Sequence, residues 1–185
     1  IGAPVPDAVN ARYVIGLGLA DALRHVAPDL PLERQPDLVA RYRHHYLARE
    51  AAIPLFAGVR EMLAELGAAG VVLGVATGKS RAGLDHALAQ HGIGRSFAAT
   101  RCADEGLAKP HPDMLLRLMG QVGAAPADTL MIGDTTHDLL LARNAGVAGL
   151  AVGYGAHDPA GLAQLQPLAT VQSIPDLRRW LRGNG

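Results

Sequence analysis

Asp134 and Asp138 stand four residues apart in Met131-Ile132-Gly133-Asp134-Thr135-Thr136-His137-Asp138. The run from Thr129 to Ile132 is short and apolar, as a buried parallel strand is, and Gly133 ends it. The spacing puts Asp134 at the carboxyl edge of a sheet and Asp138 one helical turn on, facing the same way. That edge is where open α/β sheets bind ligands. Two hard carboxylates there suit Mg²⁺, which takes one or two such ligands and fills its other positions with water and substrate phosphate. The same eight residues also fit a helix cap at Thr135 or Thr136 followed by a solvated aspartate.

Two further stretches carry groups that could act on an anion at that edge. In Val75-Ala76-Thr77-Gly78-Lys79-Ser80 a buried strand ends in a hydroxyl. Gly78 lets the backbone come close to a ligand, with its N–H near a helix start. An ordinary strand, turn and Ser-capped helix would read the same way. In Ala108-Lys109-Pro110-His111-Pro112-Asp113 a lysine precedes a helix whose start Pro112 fixes. The helix dipole disfavours a cation there, so the placement makes sense if an anion binds between them; a solvent-exposed loop lysine is the alternative. Of the 17 basic side chains only Lys79 and Lys109 are lysines, and both fall within these stretches. A compact ammonium and a planar guanidinium are not chemically interchangeable. The eight histidines show no metal-ligand spacing, and His137 reads as a packing or capping residue.

The elements that must position these groups follow from periodicity. Residues 1–54 read as helical, with pieces over Pro6 to Val14 and Ala20 to Val26 and a longer helix from Leu32 to Ile53. Its partly apolar stripe is Leu38, Tyr42, Tyr46 and Leu47, and its other face carries Arg41, Arg43, His44, His45 and Arg49. After a hinge at Ile53 to Gly58 the pattern alternates. Strands are expected at Val71 to Ala76, Phe97 to Arg101, Thr129 to Ile132, Gly149 to Val152 and Thr170-Val171. Helices of about ten residues between them predict βαβ units, hence an α/β fold with a parallel sheet and helices on both faces. The boundaries are 1–54 for a small all-helical unit and 55–185 for the α/β core.

Half of the residues are hydrophobic (49%), enough for a core, and with 4% aromatics that core is aliphatic. A formal net charge of zero argues against a nucleic-acid or membrane surface held by electrostatics. No apolar run approaches the roughly 20 residues of a membrane span. One cysteine, Cys102, permits no internal disulfide and points to a reducing cytoplasm. The chain begins at Ile1 inside what reads as a turn, as a piece of a longer protein would. Nothing in the pattern sets an oligomeric state.

Hydroxyl, lysine and paired acids in this order resemble the haloacid dehalogenase superfamily of phosphohydrolases. Thr77-Gly78 looks like its second motif, Lys109-Pro110 its third and Gly133 to Asp138 its fourth. Val75 to Arg81, Lys109-Pro110-His111-Pro112 and Asn144-Ala145-Gly146-Val147 are similar to the phosphoglycolate-phosphatase-like branch. The resemblance implies a Rossmann-like core with a helical cap over residues 1–54. It implies Mg²⁺ as cofactor, held by Asp134 and Asp138, the latter directly or through water. Thr77, Gly78 and Lys109 would bind phosphate, and Lys109, Thr77 and Asp134 would be catalytic. The substrate would be a small phosphorylated metabolite, phosphoglycolate first, cleaved through an aspartyl-phosphate. The superfamily's first motif, an Asp-x-Asp carrying the nucleophile on a strand between Val71–Ala76 and Thr129–Ile132, is absent from the 185 residues. The chain alone is therefore expected to be inactive, and a gap is expected between those strands. A pyrophosphatase, a phosphonatase or a catalytically inactive binding module are the alternatives.

Overall fold

The computed structural model describes residues 1–50 and 52–184. Its first part is helical: α1 (Ala8–Tyr13), α2 (Leu19–Val26) and α3 (Gln35–Glu50). Asp7 caps α1 by accepting from the Asn10 amide. The helix expected from Leu32 opens as a 3-10 turn over Leu32–Arg34, and α3 follows with Pro36 in its first turn, where a missing N–H costs nothing. The side chain of Leu47 and residue 51, both within the expected helix, lie outside the described residues.

The second part alternates as the sequence pattern requires. α4 (Val59–Ala68) runs through Gly67, the expected stop, and the turn after its cap residue Ala69 is closed by Gly70, whose φ is 79°. The Val71 amide donates back to Leu66 O and the Gly70 amide to Gly67 O, which satisfies the last carbonyls. That turn consumes Val71, so β1 (Gly74–Thr77) starts later than expected, and Val71 and Val72 are exposed. α5 (Arg81–His91) is capped by Ser80 and closed by Gly92 in the left-handed region. β2 (Ala99–Cys102), α6 (Asp113–Val122), β3 (Leu130–Gly133), α7 (Thr136–Asn144), β4 (Ala148–Val152), α8 (Pro159–Ala163), β5 (Thr170–Val171) and α9 (Ile174–Asn184) complete the order.

Every paired strand is parallel. Gly74 stands opposite Ala99 in one ladder, Leu130 opposite Ala148 in a second, and Ala151 opposite Thr170 in a third. Among the described residues no ladder joins β1 to β3, so the sheet is in two pieces, β1-β2 and β3-β4-β5.

Burial shows helices on both faces of β4. Leu150 and Val152 pack with Met62 of α4 and with Ile174 and Leu177 of α9, while Ala151, on the opposite face, packs with Leu139 of α7 and Leu162 of α8. A further cluster joins Met114, Leu115 and Met119 of α6 to Met131, Leu141 and Val147, and Ala76 of β1 packs against it. Each fully buried leucine or methionine contributes about 1.5–3 kcal/mol. Among the described residues no helix is long and apolar enough to cross a membrane.

Candidate active site

Thr77 and Gly133 are the last residues of β1 and β3, so Gly78 and Asp134 leave the sheet pieces at their carboxyl ends. Lys109, from the loop between β2 and α6, reaches both. Its Nζ donates to Asp138 Oδ1 at 2.6 Å and to Ala76 O at 2.9 Å. The ammonium thus spans the break, tying the backbone of β1 to the start of α7. The two side chains are only 5% and 6% exposed, so this is a buried ion pair. Asp138 Oδ2 accepts from the Thr135 amide at 3.1 Å and the Thr135 hydroxyl at 2.7 Å. Thr135 Oγ1 in turn accepts from the Asp138 amide at 3.2 Å, a capping box at the head of α7. Asp138 is therefore a cap and also the lysine's counterion, and it is not solvated. Gly133 is required here because a Cβ would overlap the Asp138 side chain.

Asp134 is half-buried. Its Oδ2 accepts from the Ala156 amide at 2.8 Å, and its carbonyl accepts from the His157 amide at 3.1 Å. A Cβ at Gly155 would overlap the Asp134 side chain. Burial, then the Asp134 charge, push the Tyr154 phenol above its ordinary range. His157 Nδ1 accepts from the Thr136 amide at 3.1 Å, so the ring proton is on Nε2, which donates to Tyr13 O at 3.1 Å. His137 Nε2 donates to the same carbonyl at 2.7 Å. Burial holds the His137 imidazole below its usual range, and the Tyr13 carbonyl opposes that shift. The turn from Gly153 to His157 carries no motif that marks it in the sequence. Two glycines directly after a strand, at the same edge as Asp134, were the available signal.

Thr77 Oγ1 accepts from the Lys79 amide at 3.1 Å. A Cβ at Gly78 would overlap the carbonyls of Gly16 and Leu17, and one at Gly16 would come within 3.0 Å of Thr135 Oγ1. The link between α1 and α2 therefore lies over the carboxyl edge. Arg41, Arg43 and Arg49 are exposed. From α3, Tyr46 meets the core, its hydroxyl accepting from Lys79 Nζ at 2.5 Å.

Arg81, at the start of α5, braces the loop that leads to Lys109. Its Nε and Nη2 donate to the two oxygens of Glu105 at 2.8 and 2.9 Å, and Nη1 donates to Thr100 Oγ1 at 2.8 Å. Glu105 Oε2 also accepts from the Cys102 amide at 2.9 Å. Cys102, at the end of β2, is 2% exposed.

The donors at the edge fit a hard cation that needs few protein ligands. Among the described residues Asp134 Oδ1 makes no hydrogen bond, and no group of three or more His, Cys, Asp or Glu converges on one point. One open carboxylate oxygen, with room left for water and phosphate, meets the demand of Mg²⁺; both Asp138 oxygens are already hydrogen-bonded.

Residues 3–152 match the family described as haloacid dehalogenase-like hydrolase. A protein of Dickeya dadantii named "Probable phosphatase IndB" is 36% identical over 180 residues, covering 94% of this chain and 78% of its own length. The pyrophosphatase PpaX of Halalkalibacterium halodurans is 32% identical, covering 91% of this chain and 77% of the relative. The phosphoglycolate phosphatase of Escherichia coli is 31% identical over 82% of this chain and 62% of the relative. The crystal structure of a hydrolase from Pseudomonas syringae superposes with a TM-score of 0.88 at 21% identity, over 98% of this chain and 85% of the other.

Proposed function

The chain belongs to the haloacid dehalogenase-like hydrolase family, in its phosphoglycolate-phosphatase-like branch, and on that premise we propose that it serves a Mg²⁺-dependent phosphatase of small phosphomonoesters, phosphoglycolate foremost. The observation that carries this reading is the Lys109 ammonium, buried and fixed between Asp138 and the carbonyl before Thr77. A cation held this way is preorganised for an anion and reorganises little when charge develops. Thr77 Oγ1 and the Gly78 N–H take phosphate oxygens beside it, and Lys109 offsets their charge. Asp134 would hold the metal through its open oxygen, and Asp138, whose own oxygens are committed to Lys109 and Thr135, would act on it through water. When bound, Mg²⁺ supplies charge neutralisation and alignment of the phosphoryl group.

The nucleophile is assigned to an aspartate on a strand lying between β1 and β3. The broken ladder and the absence of any Asp-x-Asp in the 185 residues support that assignment. This carboxylate would form a bond to phosphorus as the ester oxygen leaves as alcohol, and water would then release phosphate from the aspartyl-phosphate. Residues 1–54 act as the cap and 55–185 as the core, a division supported by the α1–α2 link lying over the edge. The single cysteine agrees with a cytoplasmic setting.

The test is phosphate release by the chain with Mg²⁺ from phosphoglycolate, pyrophosphate and a generic aryl phosphate, with and without a peptide carrying a strand that ends in Asp-x-Asp-Gly-Thr. Turnover is expected only with the peptide and the metal, and fastest on phosphoglycolate. Robust hydrolysis by the chain alone would overturn the assigned nucleophile. Preference for pyrophosphate would move the substrate to that class, which the PpaX relative represents. Phosphate binding without turnover in either arm would leave a binding module.

A further inference from the structure

The turn from Gly153 to His157 joins β4 to α8 and touches two other parts of the molecule. Its ends are fixed by the buried end of β4 and by Asp158, whose side chain accepts from the Ala160 amide to cap α8. Its middle is fixed on Asp134, through the Ala156 amide to Oδ2 at 2.8 Å and the His157 amide to the carbonyl at 3.1 Å. The His157 side chain is buried, and both ring nitrogens are engaged. Nδ1 accepts from the Thr136 amide at 3.1 Å; a backbone amide only donates, so Nε2 carries the proton and gives it to Tyr13 O at 3.1 Å. One imidazole therefore joins the turn that holds Asp134 to the head of α7 and to the end of α1. The Tyr13 ring stacks on that imidazole, 6.0 Å between centroids and 18° between planes. His137 donates to the same carbonyl at 2.7 Å. It belongs to α7, and among the described residues its ring makes no hydrogen bond to the turn.

We infer that His157 is the positioning residue that couples the seating of the α1–α2 link to the carboxylate of Asp134. This rests on the reading of Asp134 as the Mg²⁺ ligand. With Oδ2 taken by the Ala156 amide, Oδ1 is held where the turn lies, and the turn lies where His157 holds it. Fixing the carboxylate from its Oδ1 side fixes the turn, then the imidazole, then the Tyr13 carbonyl bonded to it. The same contacts run in the other direction. A seated link holds the imidazole, which holds the turn and keeps Oδ1 at one place. The link covers the edge at Gly78, where a Cβ would overlap the Gly16 and Leu17 carbonyls. Closure over the place assigned to phosphate thus responds to the metal, and metal affinity responds to closure by the same factor.

The test is amide NMR of the 185-residue chain titrated with MgCl₂, which reads weak binding and needs no turnover. Ala156 reports the carboxylate. Ile15 and Leu17, whose amides donate to Arg12 O and Val14 O, report the link by their exchange rates. Leu150 in β4 reports that each variant is folded. In the wild type Ala156 should shift with Mg²⁺ while exchange of Ile15 and Leu17 slows by about fivefold over the same range. Asn carries an acceptor as many bonds from Cα as Nδ1 and nothing that reaches Tyr13. His157→Asn should therefore abolish the slowing and raise the Ala156 midpoint by that same factor, about fivefold. Equal factors in the two readouts are the mark of coupling, which a merely structural residue would not give. His157→Gln, whose amide nitrogen is as many bonds from Cα as Nε2, should keep the slowing. His137→Phe should speed exchange in the link with and without Mg²⁺ and keep the slowing as well. Slowing that survives in His157→Asn, or that is lost in a folded His157→Gln or His137→Phe, overturns the inference and leaves the metal site standing. So does a wild type in which Ala156 shifts and the link amides do not respond. No shift of Ala156 in the wild type at any Mg²⁺ concentration overturns the metal role of Asp134 and the inference with it.

Discussion

A buried ammonium 2.6 Å from a buried carboxylate is stable only while both are present. Removing one partner leaves the other desolvated and unpaired, a loss of about 3–5 kcal/mol. Lys109→Met is therefore expected to lower the urea midpoint sharply. Asp138→Asn keeps the acceptor that caps α7 and removes the charge, so the double variant Lys109→Met, Asp138→Asn should cost less than the sum of the two singles. Strict additivity in the double-mutant cycle would mean that the pair is not coupled. At Asp134 the decisive neighbour is Gly155, which has no room for a Cβ. Gly155→Ala should displace the carboxylate and weaken Mg²⁺ binding about as much as Asp134→Asn does. Calorimetric titration with Mg²⁺ checks this, and wild-type affinity in Gly155→Ala would contradict it.

At the scale of elements, the loop carrying Lys109 is held by α5 through Arg81 and Glu105. The Arg81 guanidinium keeps the Glu105 carboxyl below its ordinary value of 4.5, an effect that burial opposes. A carboxylate with a lowered folded-state pKa adds stability that is fully present above 4.5 and is lost as pH falls through the folded value. Unfolding midpoints taken from neutral pH into the acid range should fall more steeply in the wild type than in Glu105→Gln. Equal slopes would show that the pair adds nothing. Arg81→Ala should cost about 1–3 kcal/mol, since it removes a charged donor from Glu105, which keeps only the Cys102 amide, and takes the guanidinium donor from the Thr100 hydroxyl. The sequence made much of this architecture legible. Ser80, Gly92, Gly123 and the Ser173–Asp176 box mark their helix ends because each supplies a local hydrogen bond or a left-handed residue that the backbone needs. The start of β1 was not legible, because Val71 is as apolar as a strand residue yet its amide goes to α4. Nor was the dual role of Asp138: the octapeptide shows a cap and a site residue as alternatives, and only the position of Lys109, 29 residues away, makes them one. Arg81 and Glu105 lie 24 residues apart and pair through tertiary structure alone.

For the molecule as a whole, the important fact is the broken ladder. Among the described residues β1 and β2 pair only with each other and meet the rest through α6, through Ala76 against the α6–α7 cluster and through the Lys109 bridge, whereas β4 is paired on both sides and buried over Leu150 to Val152. Local stability follows such attachment. Native-state hydrogen exchange should therefore resolve two groups, with the amides of Val75 and Ala76 opening at lower free energy than those of Leu150, Ala151 and Val152. Supplying the strand peptide of the activity test should raise protection in the first group more than in the second. One common opening free energy for both groups would show that the two pieces unfold as a unit and that the break is energetically silent.

The burial of Cys102 has a practical consequence. Burial pushes its thiol up to about 11, and the side chain is 2% exposed at the end of the less firmly attached piece. Only thiolate reacts with electrophiles, so at neutral pH the closed state is doubly protected, by access and by protonation. Since this is the only cysteine of the chain, the rate at which an aromatic disulfide reagent labels it reports a single event, the opening of β2 from its surroundings. The thiol is thus a built-in clock for that half of the sheet. It should run slowly in the wild type, faster in Arg81→Ala, and slower again once a strand fills the place between β1 and β3. Labelling at the rate of a free peptide thiol in the untouched chain would show that the half-sheet is open most of the time.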